Sequence, residues 1–355
     1  MNEHALQVIT DTDRRGAQVF ATDLHREMSQ WRQVRTVALQ GPRAMGGLEV
    51  PSLGMRRLAP STLRRLREEI EQSHVVVGHG SSTLPGCALA GLGTGVPFVY
   101  RQISDQLFWA PTRTRRARVR AFLRRADVVV ALWSGAADVL AERLDVPRQR
   151  IHVIPNGVPA ARFPVPSPDE RVAAKRALDV DGAERVVLSL GALVPEKGVD
   201  VAIRAIAGTE CHLLVAGDGP ERARLEALAD ESAPGSVTFV GALTDPWQAL
   251  AASDLLVLPS RGGDSMPAVL IEAGLAGLPA VATPIGGIVE ILAAGQTGEL
   301  VPVDDVAALR AAVQGVGAQA ESYGAAARQR CLERFEINVV ARRWHALLDQ
   351  VAATR

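Results

Sequence analysis

The chain has 355 residues, 39 basic against 39 acidic side chains, 47% apolar residues and three cysteines. That length suits two ordinary domains, and balanced charge with plentiful Ala, Val, Leu and Gly describes a soluble globular protein with buried parallel strands. Cys87, Cys211 and Cys331 are too far apart for a disulfide framework or a zinc spacing, which points to a reducing compartment.

The opening MNEHALQVITDTD lacks the basic flank and apolar core of a signal peptide. Short β-rich runs then alternate with helical patterns. In the first half they are LQVIT, VRTVAL, HVVVG, PFVYR, DVVVAL and IHVIP, with amphipathic stretches such as QVFATDLHREMSQW and STLRRLREEIEQ between them. After the proline-dense segment 155–170 come RVVLSLG, CHLLVAG, SVTFVG, DLLVLP, PAVAT and GELVP, again separated by helical patterns. Two such series predict βαβ crossovers in two doubly wound parallel-sheet domains that face each other across a cleft. The boundary falls near residue 160, giving domains 1–160 and 161–336, with a terminal helix at about 337–355 that packs on either domain. Charge divides at the same place. Residues 1–160 carry 22 basic and 14 acidic side chains (+8), which leaves 17 and 25 (−8) for the remainder. Only Lys175 and Lys197 among the 39 basic residues are lysines.

Ligands of open α/β sheets bind where strand ends meet helix N-termini, so candidate residues are sought there. Asp11-Thr12-Asp13 is literally a DxD, but at the end of a first strand it reads as loop, and no metal is expected. Gly16 opens the first helix and is a candidate phosphate or sugar contact; a plain βα turn is the alternative. His79 follows a strand and faces the cleft as a candidate general base or sugar ligand, with a satisfied loop histidine as the alternative. RTRRARVRAFLRR (113–125) holds seven arginines near Phe108, Trp109 and Phe122. It suits an anionic lipid surface or a phosphorylated acceptor, or else is a solvated face; no nucleic-acid module accompanies it.

In the second half, Lys197 sits in the strand-end loop GALVPEKGVD, where it can neutralise phosphate or simply be a solvated lysine. Gly219 in GDGPERARLE and Leu243 in VGALTD lie in loops placed to pass close to a ligand. The densest signal is RGGDSMPAVLIEAGLAGLPAVATPIGG, 261–287. Its run Met266–Ile285 holds one charge, Glu272, and three prolines, so it is a poor membrane span and reads instead as a buried helix from about Pro267 to Ala276. The free amides of Met266, Pro267, Ala268 and Val269, together with Ser265 beside them, then form an anion site suited to a diphosphate. Asp264 can accept from ligand hydroxyls, and Glu272 from a diol; an ordinary ion-paired Glu and a loop Asp are the alternative.

Taken together these residues resemble the family 4 glycosyltransferases. VIPNGV (153–158), GALVPEKGVD, AGDGP, DSMPAVLIEAGLAGLPAVAT and TPIGGIVEIL (283–292) match the family's motifs in order and spacing, and the likeness runs nearly the whole chain. The resemblance implies a GT-B fold of two Rossmann-like domains, an acceptor-binding first domain and a donor-binding second. It implies a retaining, metal-independent hexosyl transfer from a nucleotide-sugar, a UDP- or GDP-sugar used as co-substrate with no cofactor, to a hydroxyl on a glycan, lipid-linked or small-molecule acceptor. Glu272 would hold ribose, Asp264 the transferred sugar, and Lys197 the diphosphate. Arg101, Ser104 and Asp105, in RQISDQLFW, are acceptor-side candidates at the strand end where many members carry a histidine. Three departures stand out: RQISDQLFW stands in place of that histidine, Asp264 replaces the usual Glu, and Ala192 replaces the arginine that normally partners the lysine, a charge that Arg261, Arg101 or an acceptor-side arginine is a candidate to replace. A lapsed nucleotide-sugar-binding protein and a GT-B epimerase are the alternatives, while the lack of GxGxxG after the first strand disfavours a dehydrogenase. The expected home is the cytoplasm, at most peripheral at the inner membrane face.

Overall fold

A computed structural model describes residues 4–42, 47–104 and 112–353, with the Ala318 side chain excepted. It divides into two compact units, Met1–Val158 with Glu336–Arg355, and Pro159–Phe335.

The first unit is built on six parallel strands: β1 (His4–Ile9), β2 (Gln33–Ala38), β3 (Val75–His79), β4 (Phe98–Arg101), β5 (Val128–Ala131) and β6 (Ile151–Val153). They lie in the order β2-β1-β3-β4-β5-β6. Val75, Val76 and Val77 are buried on both faces of the sheet, as parallel strands covered by helices require. One face packs the helices Gly16–Met28 and Ile337–Ala353. The terminal helix buries Ile337, Val340, Ala341, Trp344, Leu347 and Leu348, a three-four spacing that lays one apolar stripe on Phe20, Leu24 and Met28. The sequence left its docking partner open, and the structure assigns the helix to the first unit.

The second unit holds β7 (Arg185–Leu190), β8 (Cys211–Ala216), β9 (Val237–Gly241), β10 (Leu255–Leu258), β11 (Ala280–Ala282) and β12 (Gly298–Leu300), all parallel. Their order is β12-β11-β10-β7-β8-β9. Numbered from β7, that is the 3-2-1-4-5-6 arrangement of a Rossmann domain, and its direction reverses between β7 and β10. Both units are therefore the doubly wound α/β domains that the strand pattern predicts. Among the described residues no helix is long and apolar enough to cross a membrane.

Candidate functional site

In an open parallel sheet the two loops that diverge at the switch point leave a crevice at its carboxyl edge. In the second unit those loops follow β7 and β10, and they carry Lys197 and Asp264. After β7 the chain passes exposed Ala192 and makes a turn of 3-10 helix, Pro195–Lys197. Gly198 then takes φ +64° and starts the helix Val199–Ile206. A Cβ on Gly198 would lie 2.1 Å from the Pro259 carbonyl oxygen, so glycine lets the lysine turn rest directly on the end of β10.

Lys197 Nζ donates to Asp264 Oδ1 at 2.5 Å, with the two side chains 24% and 11% exposed. The second oxygen of Asp264 is buried without a hydrogen-bond partner among the described residues. Just beyond, the helix runs Ala268–Leu275 with Pro267 as its N-cap and no side chain capping its first amides. Pro267 has no amide hydrogen, so the expected four-residue anion cradle narrows: the donors at the helix start are Ala268 and Val269, both half-buried. Ser265 and Met266 are buried beneath them. Glu272 is half-buried and is the only acid of this otherwise apolar helix. The glycine pair after β11 closes the loop from the other side. Gly286 has φ +53°, a Cβ there would meet the Asp264 carbonyl oxygen at 2.0 Å, and the Gly287 amide donates to the Ser265 carbonyl at 2.5 Å.

Gly219 serves a different contact from the ligand approach expected of it. A Cβ there would lie 2.3 Å from the Leu193 carbonyl oxygen, while the Leu193 amide donates to the Asp218 carbonyl at 2.9 Å. Its turn thus buttresses the lysine loop. Leu243 is half-buried past the end of β9.

Arg261 is not a free cation standing in for the arginine missing at Ala192. Its Nη1 and Nη2 grip Asp200 Oδ1 and Oδ2 at 2.9 and 3.0 Å, its Nε meets Asp304 at 2.6 Å, and Nη1 also donates to the Pro195 carbonyl at 2.8 Å. Burial works to raise the Asp200 carboxyl, but the bonds and charges of Arg261 and Arg204 outweigh it and hold that group below its ordinary value.

The remaining predicted residues lie in the first unit. A cavity of about 300 Å³ opens at that sheet's own switch point, between the ends of β1 and β3. Asp11, Arg15, Gln18, Arg57, His79 and Ser82 line it. Gly16 is exposed nearby at the start of its helix, with nothing within 4 Å of a Cβ placed there. The DxD carboxylates are engaged by protein: Asp11 accepts from Gln18 at 2.8 Å, and Asp13 pairs with Arg15.

His79 requires a correction. It is the last residue of β3 and only 2% exposed, not a histidine on an open loop. Its Nε2 lies 2.9 Å from Gln7 Oε1, its ring packs between Phe20 and Trp344, and its Nδ1 has no partner among the described residues. Burial first, and then the charge of Arg101, press its pKa well below the ordinary value and keep it neutral. Arg101 is corrected likewise. It is 1% exposed, lies over the Phe20 ring at 3.7 Å and donates to Asn156, so it braces the interior instead of offering itself to an acceptor. Burial lowers its pKa to about 9. Ser104 is half-buried and accepts from Gln102 through its carbonyl at 3.3 Å; Asp105 lies outside the described residues, as do Phe108 and Trp109.

Two parallel-sheet Rossmann-like units, each with its polar residues gathered at the switch point, define the GT-B class of sugar-handling folds. Residues 4–162 match the Glycosyltransferase Family 4 model and 171–329 the Glycosyl transferases group 1 model, and the chain belongs to these family 4 type glycosyltransferases. It is 32% identical to an exopolysaccharide phosphotransferase of Streptomyces coelicolor over 72% of this chain and 27% of that one. It is 28% identical to an alpha-maltose-1-phosphate synthase of Mycolicibacterium smegmatis over 95% and 96% of the two chains. The chain spans about half the length, or less, of several of the curated relatives it matches. Among solved structures, Anabaena Alr3699/HepE in complex with UDP and glucose shares the fold with a TM-score of 0.86 at 20% identity, over 97% of this chain and 99% of that one.

Proposed function

We propose that the protein is a retaining, metal-independent glycosyltransferase that moves a hexose from a nucleotide-sugar to a hydroxyl acceptor, with the unit Pro159–Phe335 binding the donor and the first unit the acceptor. The observation that carries this reading is the Lys197–Asp264 pair beside an uncapped helix N-terminus at the switch point of a Rossmann sheet. A diphosphate placed there meets the Lys197 ammonium and the amides of Ala268 and Val269. Asp264, released from Lys197, accepts from hydroxyls of the sugar, and Glu272 accepts from ribose. As the bond to the anomeric carbon breaks, negative charge grows on the phosphate, where Lys197 and the helix dipole stabilise it. The departing phosphate takes the acceptor proton. The binding of UDP and glucose in the HepE structure supports a UDP-sugar as donor. The cavity at the ends of β1 and β3, lined by the polar residues Arg15, Arg57 and Ser82 among others, supports a hydroxyl acceptor.

A panel of UDP, GDP, ADP, dTDP and NAD in thermal unfolding tests the reading. One nucleoside diphosphate, at a hundred times its Kd, should add about 2.7 kcal/mol of stability, and Glu272→Ala should abolish the shift. A shift without sugar transfer would favour the second reading, a lapsed nucleotide-sugar binder, which exposed Ala192 in the arginine position recommends, whereas silence from every nucleotide with a folded sample would overturn donor binding altogether.

The helix Arg113–Leu123 buries only Leu123 and exposes Arg113, Arg115 and Arg118. In the same unit Leu89 and Leu92 are 42% and 41% exposed. An acidic phospholipid surface fits this face, and co-sedimentation with phosphatidylglycerol vesicles should fall steeply as salt rises. Binding that ignores salt would refute the electrostatic contact.

A further inference from the structure

The loops after β7 and β10 are joined by two ion pairs of opposite sense. The first loop contributes Lys197, and the helix it leads into contributes Asp200 three residues on; the second loop contributes Arg261 and, three residues on, Asp264. Lys197 reaches across to Asp264 at 2.5 Å, and Arg261 reaches back to Asp200 through two parallel bonds of 2.9 and 3.0 Å. The two pairs differ in what a donor does to them. A diphosphate competes directly for Lys197, and a sugar hydroxyl for Asp264, so the first pair must open when the site fills.

The second pair has no such competitor, because its guanidinium is spent on protein acceptors. Besides Asp200 it holds Asp304 Oδ1 at 2.6 Å and the Pro195 carbonyl at 2.8 Å, while the Arg261 amide donates to the Glu196 carbonyl at 2.7 Å. Pro195 and Glu196 are the residues immediately before Lys197. Arg261 therefore grips the lysine turn by its backbone and the following helix by its first acid, from three residues before Asp264.

We infer that Arg261 is a positioning residue: it locks the Lys197 loop to the Asp264 loop, so that ammonium and carboxylate keep their spacing after the bond between them is exchanged for bonds to the donor. This role rests on the reading of Lys197 and Asp264 as donor ligands, but the locking itself is a property of the empty protein. It also demands a planar fork. A lysine carries the same charge, yet as a point donor it cannot serve both Asp200 oxygens, Asp304 and the Pro195 carbonyl together.

Lysine scarcity supplies a clean test. Only Lys175 and Lys197 carry side-chain amines, and Lys175 pairs with Asp254 at 3.2 Å in the same unit, so it serves as an internal reference. Purified wild type, Arg261→Gln, Arg261→Lys and Asp200→Asn would be acetylated briefly with an N-hydroxysuccinimide ester and quantified by peptide mass spectrometry. In Arg261→Gln and Asp200→Asn the Lys197 to Lys175 labelling ratio is expected to rise about fivefold, as the lysine escapes its carboxylate. Arg261→Lys should restore less than half of the protection. In donor turnover the same variants should lose kcat by about 10²-fold, the cost of misplacing a group by roughly 1 Å, with a much smaller change in donor KM.

An unchanged ratio in both Arg261→Gln and Asp200→Asn, or full rescue by lysine, would overturn the inference. The two variants break the same lock from opposite sides, so a folding failure in one leaves the other to decide. Failure of the donor reading looks different: no wild-type nucleotide shift, yet a raised ratio in the variants, leaves the lock intact and removes only its proposed use.

Discussion

Lys197→Ala is expected to lower turnover of the nucleotide-sugar by about 10²–10³-fold, or roughly 3–4 kcal/mol of transition-state stabilisation. The size follows from what else is at hand. Ala192 contributes no charge, Arg261 is bound to Asp200, Asp304 and Pro195, and Lys175 is paired with Asp254. That leaves the helix amides of Ala268 and Val269 to meet the leaving diphosphate. Because charge develops during bond breaking, the loss should fall on kcat more than on donor KM. Asp264→Asn should also be slow, though for another reason: the sugar loses a charged acceptor while Lys197 gains freedom. Nucleotide release under saturating donor measures both. A Lys197→Ala enzyme that keeps wild-type kcat would show that the departing charge is met elsewhere.

The backbone geometry of this site was legible because short motifs fix local geometry. Gly198, Gly219 and Gly286 each stand where a Cβ would strike a backbone carbonyl, so the loops containing them report their own packing. Strand runs such as RVVLSL and LLVL, buried on both faces, give parallel sheets without knowledge of any partner strand. Roles that depend on distant neighbours were not legible. Arg101 sits at a strand end like an exposed functional residue, yet Phe20 and Asn156, 81 and 55 positions away, make it an interior brace. Arg261 looked like spare charge because its acceptors, Asp200 in a helix and Asp304 in a loop, lie 61 and 43 residues away in the chain. His79 followed the same pattern, since one of its ring neighbours, Trp344, comes from the terminal helix. A clue lay in residues 338–353, whose apolar spacing needed a surface to cover.

That terminal helix carries the largest expected effect on stability. Trp344 is completely buried between the β-sheet and the helix Gly16–Met28, and Trp344→Ala should cost about 3–5 kcal/mol. Urea unfolding followed by far-UV circular dichroism measures it. The same substitution opens a path for water to His79, whose ring centroid lies 6.2 Å from that of Trp344. In the native protein His79 stays neutral below its ordinary value of 6.5, whereas the unfolded chain takes up the proton there. The unfolded state then binds more protons, so stability falls as pH drops below 6.5, by about 1.4 kcal/mol per pH unit for each such group. His25, His152 and His212 are also held below their ordinary value, chiefly by burial, and act with the same sign. The contribution of His79 is therefore a difference of slopes. Between pH 6.5 and 5, His79→Gln should flatten the dependence by about 1 kcal/mol per unit, and Trp344→Ala should flatten it partway. Equal slopes in wild type and His79→Gln would mean that His79 takes its proton inside the fold, and that the apolar enclosure by Phe20 and Trp344 does not exclude the charge.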